Sequence, residues 1–384
     1  PQSLAMAVVK ANAYGHGYQL VIPAVLDAGA TWLGVAQLDE ALRIRTWLDD
    51  NNYRRPAADD DAGSPAQPRM MSWIFPPGAR LEQAITADID ISASAPWAIE
   101  QAVAAGKKAS RTPRIHLKVD TGLSRSGATL SQFEALVASA QQAVMADAID
   151  VVAVWSHFSS AEDNDPHAEE KTHSQLEVFD QAYTMCIDAG INVRMRHIAA
   201  SSGIIWHPQA HFDMVRAGIA LYGLSPNEKR ATHTALGLRP AMTLRARVIT
   251  VKQVEAGAEV SYNGTWKAPT RRWLAVVPLG YADGIPRIVQ GEAYVGYAGD
   301  GFPIVGRVCM DQVVIDLGEA ISKGEAAGKP PLKVGDTVTL FGPGTAGEPT
   351  AVDWAQWEQT ITYEVTTRLS ERIPRTPALR LMGC

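Results

Sequence analysis

A single lysine ends the first apolar run of the sequence. The run Met6–Val9 has the composition of a buried strand, and the stretch after Lys10 is polar and contains glycine, as in loops at the mouth of an α/β active site. Apolar surroundings lower the pKa of a lysine and leave an amine that can attack a carbonyl carbon. The pattern favours Schiff-base chemistry at Lys10; the alternative is a lysine that merely ends a buried strand.

Charged residues also interrupt two later apolar stretches. His116–Gly127 ends a strand-like run in charged residues and then turns at Gly122, which is typical of a loop at the mouth of a barrel. Its Arg125 could instead be a surface salt-bridge partner. In Asp213–Gly223, Arg216 stands between apolar neighbours, and a cation buried in this way needs a partner.

Alternating strands and helices must position these residues. Eight apolar, β-rich segments are predicted as strands: Met6–Val9, Trp32–Val35, Met70–Ile74, Ile89–Ser92, Arg114–Val119, Ile149–Trp155, Val193–Ile198 and Phe212–Val215. Apolar residues at helical spacing predict helices between most of them, including Leu38–Leu48, Ala95–Ala105, Ser131–Ala143 and Glu170–Ala189. Strands that alternate with helices form a parallel sheet.

Eight strand–helix units over about 220 residues fit a closed (β/α)₈ barrel, with a doubly wound open sheet as the alternative. The positions of the polar residues favour the barrel, because barrel enzymes build their active sites at the carboxyl ends of the strands. The residues at or just past predicted strand ends are Lys10, Lys118, Asp120, His157, Ser201 and Arg216.

The pattern changes from Ala241 onward. Alternation with a period of two in Thr243–Ile249, followed by short segments separated by turns, predicts antiparallel strands. Proline and glycine in residues 224–240 mark the junction. We therefore predict an α/β protein of two domains, a (β/α)₈ barrel at residues 1–237 and a mainly antiparallel β domain at residues 238–384.

Composition excludes several classes of partner. A net charge of -6 and a pI near 5.9 offer no basic surface to nucleic acid or anionic lipid. No apolar run approaches the roughly 20 residues that a membrane-spanning helix needs. We therefore expect neither a nucleic acid nor a membrane partner. The three cysteines are odd in number and far apart, which indicates a reducing, cytoplasmic environment.

Three other patterns are interpreted without a ligand. Gly342–Gly347 has the spacing of a dinucleotide fingerprint, but Glu348 and Pro349 precede any helix and no βαβ unit surrounds it. The histidines of residues 157–173 lack the helical i, i+4 pair of zinc sites, so we expect no metal. Residues 49–69, with an Asp-Asp-Asp run and three prolines, predict a surface insertion to which no function is assigned.

A family resemblance rests on the motifs themselves. The run Ala-Val-Val-Lys-Ala-Asn-Ala-Tyr-Gly-His-Gly around Lys10 closely resembles the segment of alanine racemases whose lysine holds pyridoxal 5'-phosphate (PLP), and His116–Gly127 resembles their second signature. The matching segments of the second domain are Val260–Gly264, Gly280–Gly284, Gly306–Asp311, Tyr363–Val365 and Arg372–Arg375. The resemblance covers essentially the whole chain and implies interconversion of L- and D-alanine, with D-alanine supplying bacterial peptidoglycan.

The resemblance assigns most of the cofactor contacts. It implies that Lys10 binds PLP covalently and that Arg216 donates to the pyridine nitrogen, which keeps that nitrogen unprotonated and favours racemisation over transamination. Arg125 would hold the phenolic oxygen of PLP and the substrate carboxylate, oriented by Lys118, which is carbamylated in some members. The remaining cofactor contacts would come from Tyr14, His157, Ser201, Gly218, Ile219 and Tyr363.

The resemblance also implies one base on each face of the substrate Cα. Lys10 would serve the D-isomer and Tyr262 the L-isomer, with assistance to Tyr262 from His157. Tyr281 would narrow the entrance, and Met310 would donate a backbone N–H to the substrate carboxylate. Members of the family pair head to tail, so we expect a homodimer in which each barrel meets its partner's β domain.

The chain departs from the family pattern at one position. Ala200 stands where the usual His-x-x-Asn-Ser motif has asparagine, which removes one expected cofactor contact. The family usually carries a strand and a helix before the lysine segment, so we expect residues upstream of Pro1. Because pocket shape alone separates alanine from serine, a broad-specificity amino-acid racemase of the same fold is the alternative, and turnover of a panel of L-amino acids would distinguish them.

Two other PLP-binding classes fit the sequence less well. A decarboxylase on the same architecture would normally pair the pyridine nitrogen with an acid, whereas Arg216 matches the racemase pattern. A PLP-carrier barrel shares the lysine strand but not the β domain with its Tyr262 and Met310 segments.

Overall fold

The computed structural model describes residues 3–53, 68–289, 291–320 and 329–377. The chain divides into two compact units: the first comprises Pro1–Ala13, Gly17–Leu221 and Ser225–Leu236, and the second comprises Tyr14–His16, Tyr222–Leu224 and Gly237–Cys384. Most of the predicted insertion at residues 49–69 lies outside the described residues.

Eight parallel strands form the first unit. They are β1 (Leu4–Val8), β2 (Trp32–Gln37), β3 (Arg69–Ile74), β4 (Ile89–Ala93), β5 (Arg114–Lys118), β6 (Asp150–Trp155), β7 (Met195–His197) and β8 (Met214–Ala217). They pair in the order β7-β6-β5-β4-β3-β2-β1-β8. Two backbone hydrogen bonds connect the segments that contain β7 and β8, from Asp213 N, just before β8, to Arg196 O at 3.2 Å and from Arg216 N to Ala199 O, just after β7, at 3.0 Å. The predicted barrel is confirmed.

Helices connect successive strands. They are α1 (Lys10–Tyr14), α2 (Tyr18–Asp27), α3 (Leu38–Asp50), α4 (Leu81–Thr86), α5 (Pro96–Ala109), α6 (Leu130–Met145), α7 (Pro166–Asp188) and α8 (Ser201–Trp206). The start of α7 shows the local logic: Pro166 is its first residue, and the Asp165 side chain accepts the N–H groups of His167 and Ala168, each at 3.1 Å. The four predicted helices are confirmed to within a few residues.

Large apolar side chains pack inside the barrel. One buried cluster consists of Met6, Trp32, Met71, Val152, Ala153, Trp155, Met195 and Met214. Polar residues join this layer through ring contacts, since His116 meets Trp32 edge-on at 5.6 Å between centroids and His197 stacks on Trp155 at 5.6 Å. Because the interior is packed with side chains, chemistry is confined to the ends of the strands.

The second unit is mainly an antiparallel sheet, as predicted. Its strands are β9 (Leu244–Arg247), β10 (Thr250–Val254), β11 (Glu259–Val260), β12 (Trp266–Lys267), β13 (Arg272–Val277), β14 (Tyr294–Tyr297), β15 (Asp300–Val305), β16 (Val313–Glu319) and β17 (Thr337–Phe341). Seven of them form one sheet in the order β10-β13-β16-β15-β14-β17-β9, and β11 pairs with β12. Two short helices follow, α9 (Ala351–Trp357) and α10 (Thr362–Thr367).

The Glu348 side chain accepts backbone N–H groups of the glycine-rich stretch after β17. The N–H groups of Gly344 and Ala346 donate to the two carboxylate oxygens of Glu348 at 2.9 and 2.8 Å. A phosphate would have to displace this carboxylate, which agrees with the exclusion of a dinucleotide site. Within the described ranges, no helix has the length and apolarity needed to span a bilayer.

Candidate functional site

Lys10 lies two residues beyond the end of β1. Val9, which is fully buried, continues the parallel pairing by donating its N–H to Gly34 O at 2.9 Å. The half-buried side chain of Lys10 places Nζ 6.0 Å from the centre of the Trp73 ring. Burial lowers the pKa of Lys10, the charges of Arg125 and Arg216 lower it further, and Glu40 raises it. The amine is therefore easier to deprotonate than a surface lysine.

In the short element α1, a left-handed turn follows Lys10 directly. Ala11, Asn12, Ala13 and Tyr14 all have φ between 53° and 54°, a conformation that costs roughly 1–2 kcal/mol for each residue other than glycine. The sequence analysis did not predict this turn, because alanine carries no preference for it. The turn is anchored at both ends, since Ala13 N donates to Val9 O and Gly17 N donates to Asn12 O, each at 2.9 Å.

A second cation lies at the end of β5. Lys118 donates to the Ser126 hydroxyl, and its Nζ lies 4.4 Å from the centre of the Trp155 ring. Burial lowers the pKa of Lys118 to about 8, with contributions from Arg216, Arg125 and Lys10. Arg125 is exposed on the turn that follows, and its charge acts on Lys10, Lys118 and His157. These cations together form a site suited to an anion.

Arg216 is buried inside β8, one residue before its end. Its guanidinium donates to the backbone oxygens of Ser156 and Ile198 at 2.8 and 3.0 Å and contacts Nδ1 of His157 at 3.1 Å. Burial lowers the pKa of Arg216 to about 9, which still leaves it charged at neutral pH. The partner that the sequence required is thus a set of carbonyl and imidazole acceptors rather than a carboxylate.

A buried chain of side chains extends from Arg216 across the barrel. The guanidinium contacts Nδ1 of His197 at 3.0 Å, Nε2 of His197 contacts Nδ1 of His116 at 3.0 Å, and Nε2 of His116 contacts Asp90 at 3.2 Å. Burial lowers the pKa of both histidines. Although burial favours the neutral acid, Arg114 and Arg69 hold the pKa of Asp90 well below its usual range. If both histidines are neutral, His197 donates its Nε2–H to His116, and His116 donates its Nε2–H to Asp90.

His157 is held neutral by its surroundings. Burial lowers its pKa well below the usual value, and the charges of Arg216, Arg125, Lys10 and Lys118 act in the same direction. Since Arg216 donates to Nδ1, the ring proton is on Nε2. His157 can therefore donate a hydrogen bond from Nε2.

Ser201, the first residue of α8, organises the backbone after β8. Its hydroxyl oxygen accepts the N–H groups of Gly218 and Ala220 at 3.0 and 3.2 Å, while Ile219 is buried beside them. Ala200 precedes Ser201 with extended backbone. The Ser201 hydroxyl hydrogen can then be donated to an acceptor outside the protein, such as a phosphate oxygen.

Aromatic residues of the second unit cluster around Tyr14. The Tyr14 ring lies 4.8 Å from Tyr222 and 6.2 Å from Tyr363, and Tyr222 stacks on His16 at 4.5 Å between centroids. Burial raises the pKa of Tyr14 to about 12, so its hydroxyl stays protonated and can donate. The rings of Tyr14 and Tyr363 are therefore neighbours, and their shared cofactor contact stays a prediction.

Three large side chains of the second unit are exposed. Tyr262 is 68% exposed, Met310 53% and Tyr281 44%. Backbone bonds hold two of these segments together, from Tyr281 N to Cys309 O and from Ala282 N to Met310 O, each at 3.0 Å. The Ser261 hydroxyl donates to Arg307 O at 2.7 Å, which brings the tyrosine segment to the same place.

The two units therefore divide the predicted residues. The first gathers the cations and histidine, and the second holds Tyr14 with Tyr363 and, separately, the exposed group around Tyr262. Three residues of the first unit that join the site through hydrogen bonds, Glu40, Asp90 and His116, were not predicted from the sequence. For His116 a signal existed, because it lies two residues before Lys118 on β5 and so shares its side of the strand.

Comparisons with known proteins cover nearly the whole chain. Residues 1–226 match the family model of the alanine racemase N-terminal domain, and residues 241–377 match that of the C-terminal domain. The alanine racemase of Beutenbergia cavernae is 46% identical over 370 residues, which cover 96% of this chain and 90% of that protein.

Solved structures agree in fold as well as in sequence. That of Streptomyces coelicolor alanine racemase is 40% identical, with a TM-score of 0.87 over 98% of this chain and 92% of that chain. That of the Streptomyces lavendulae enzyme is 41% identical, with a TM-score of 0.86 over 98% and 91%.

Proposed function

The chain belongs to the alanine racemase family of isomerases, and we propose that it interconverts L- and D-alanine using PLP held by Lys10. One observation carries the proposal: a half-buried lysine at a barrel mouth whose pKa is lowered by burial and by two arginines, Arg125 and Arg216. An amine of this kind is suited both to covalent attachment of an aldehyde and to uptake of a proton.

The described residues fit the cofactor. PLP offers an aldehyde, a phosphate and a ring nitrogen, and the first unit presents the Lys10 amine, the Ser201 hydroxyl and the Arg216 guanidinium. The acceptors around Arg216 are neutral groups rather than a carboxylate. Arg216 would therefore donate a hydrogen bond to the ring nitrogen and keep its own proton. Tyr14 and Tyr363 would add hydroxyl donors for the phosphate. When bound, PLP withdraws electron density from the substrate Cα.

The protein's own residues would move the proton. Lys10 would take it from Cα of D-alanine, and Tyr262 would take it from Cα of L-alanine on the opposite face. The Nε2–H of His157 is available to stabilise the tyrosine oxygen when it is charged. Arg125 and the N–H of Met310 would hold the substrate carboxylate, and Tyr281 would limit access.

A homodimer would bring the two bases together. Tyr262, Tyr281 and Met310 are exposed in the single chain, and hydrogen bonds join the three segments that carry them. We propose that the surface formed by these segments covers the barrel mouth of a second copy of the chain, so that a two-fold dimer holds two shared sites.

Mixing two inactive variants tests this arrangement. Lys10→Ala and Tyr262→Phe chains, each inactive alone, should recover about a quarter of wild-type activity when refolded together, because about half of the dimers are mixed and each mixed dimer has one intact site. The measurement is racemisation by the refolded mixture, followed by racemisation by mixed dimers purified through two different tags, which should have about half of wild-type activity. Zero activity in verified mixed dimers would show that both residues come from one chain.

Arg216→Glu should slow racemisation by about 100-fold. A glutamic acid at this position would favour a protonated ring nitrogen and so make bound PLP more electron-withdrawing, and we expect a long-wavelength absorbance band that appears only during turnover. Stopped-flow spectra check this result. Since Arg216 is buried, urea unfolding of the variant controls for loss of fold, and an unchanged racemisation rate in a folded variant would make Arg216 structural.

The cellular setting is proposed on the same resemblance. D-alanine would supply bacterial peptidoglycan. The Cys186 and Cys309 thiols are free, which supports a reducing, cytoplasmic location.

A further inference from the structure

Glu40, on the first turn of α3, contacts the left-handed turn that follows Lys10. One carboxylate oxygen accepts the N–H of Asn12 at 2.8 Å, and the other accepts the N–H of Ala11 at 3.1 Å. The two residues bonded are the first two after the lysine. Glu40 therefore ties the backbone that carries Lys10 to a different strand–helix unit of the barrel.

A carboxylate suits this position because of the turn's conformation. Consecutive N–H groups in left-handed backbone converge on one side and form a concave, partly positive surface. At the start of any helical turn these N–H groups have no acceptor within the turn itself. The two oxygens of Glu40 satisfy one N–H each, and bonds to a charged acceptor are stronger than neutral ones.

We propose that Glu40 is a positioning residue for racemisation: it holds residues 11 and 12 in the left-handed conformation and thereby fixes the direction of the Lys10 side chain. The inference rests on the proposed function, in which the Lys10 amine must reach both the cofactor and one face of Cα. Without this contact the turn can relax toward right-handed or extended backbone, and the amine loses its alignment.

The charge of Glu40 has a second effect at the same amine. Arg125 and Arg216 lower the pKa of Lys10 together with burial, Lys118 adds a neighbouring cation, and Glu40 opposes them. Removing its charge should lower the pKa of Lys10 further. The amine would then be deprotonated at lower pH, so the acid limb of the kcat profile for D-alanine should move to lower pH.

Asp39 provides a matched control on the same turn of α3. It is exposed and pairs with Arg80, with Nη2 to Oδ1 at 2.6 Å, rather than with the left-handed turn. Asp39→Asn therefore removes the same charge from a neighbouring position without touching residues 11 and 12.

The test compares Glu40→Gln with Asp39→Asn in the PLP-loaded enzyme. In Glu40→Gln the amide nitrogen would face a backbone N–H, so one hydrogen bond is lost, and we expect kcat to fall about 10- to 100-fold. The acid limb should shift as described. Asp39→Asn should leave kcat within about twofold and the limb unchanged.

A glycine should rescue the loss. Ala11 is exposed, so Ala11→Gly removes little packing while allowing positive φ without steric cost. The Glu40→Gln/Ala11→Gly variant should regain about fivefold or more in kcat over Glu40→Gln. If Glu40→Gln does not fold, the double variant is compared with Ala11→Gly alone. We then expect the double variant to have the lower kcat, with a loss smaller than that of Glu40→Gln in the wild-type background.

Two outcomes would overturn the inference. Glu40→Gln could match Asp39→Asn in kcat and pH profile, or it could lower only the free energy of unfolding, which would make Glu40 structural. Lys10→Ala separates this failure from that of the proposed function: an inactive Lys10→Ala beside a normal Glu40→Gln refutes only the role of Glu40, whereas an active Lys10→Ala refutes the role of the lysine itself.

Discussion

Lys10→Ala is expected to remove the visible absorbance of the PLP-loaded enzyme and to reduce racemisation by roughly four orders of magnitude. Both losses would have one cause, because the same nitrogen atom is the proposed covalent anchor of the cofactor and the proposed base for D-alanine. The half-buried position of Lys10 and the positive charges of two arginines lower the pKa of that amine, which suits it to both tasks. Absorbance spectra after dialysis against PLP, together with coupled assays in each direction, measure the two losses.

Lys118→Ala is the matched control for this variant. Lys118 is a second buried lysine near the same arginines, and burial lowers its pKa to about 8, so it is the other amine able to bind an aldehyde. We expect Lys118→Ala to retain the visible absorbance. If Lys10→Ala kept the visible absorbance and Lys118→Ala lost it, Lys118 rather than Lys10 would be the covalent anchor.

Tyr262→Phe should reduce racemisation by about 10³-fold while leaving PLP absorbance intact. The hydroxyl is the proposed base for L-alanine, and phenylalanine keeps the ring but has no group that can take a proton. Tyr262 is 68% exposed in the single chain, so the change should not affect its folding. Racemisation falls in both directions, because each direction needs one base to remove the proton and the other to return it.

Tyr281→Phe controls for position on the same surface. Tyr281 is another exposed tyrosine of the second unit, near Met310, and its proposed task is steric. Since phenylalanine has nearly the same shape, we expect a change within about tenfold. Equal losses for the two tyrosine variants would mean that the surface, rather than the Tyr262 hydroxyl, is what the reaction needs.

The sequence predicted the barrel because strand and helix periodicities are local. Each of the eight strands lies within two residues of its predicted bounds at both ends. The prediction for β8 is residues 212–215, whereas the strand is Met214–Ala217. Its position is set by pairing with β1, in which Arg216 of β8 lies opposite Met6 of β1. Arg216 consequently lies within the strand and not beyond it.

Long-range contacts and unusual backbone account for what was missed. The chain from Arg216 through His197 and His116 to Asp90 joins four strands, and no spacing in the sequence indicates which of them meet. The left-handed turn after Lys10 donates backbone N–H groups to Glu40, 28 residues beyond Asn12. The strand pattern pointed to the residues at the strand ends, such as Lys10, whereas only the family resemblance pointed to Tyr262, Tyr281 and Met310.

Exchange of the Cα hydrogen in deuterated water tests the two-base account most directly. The PLP-loaded Tyr262→Phe enzyme is incubated separately with L-alanine and with D-alanine, and deuterium at Cα is followed by NMR. The account predicts that exchange into D-alanine persists, because Lys10 still acts on its face, while exchange into L-alanine is lost. Equal loss from both isomers in an enzyme that still binds PLP, or equal retention in both, would contradict the assignment of one base to each face.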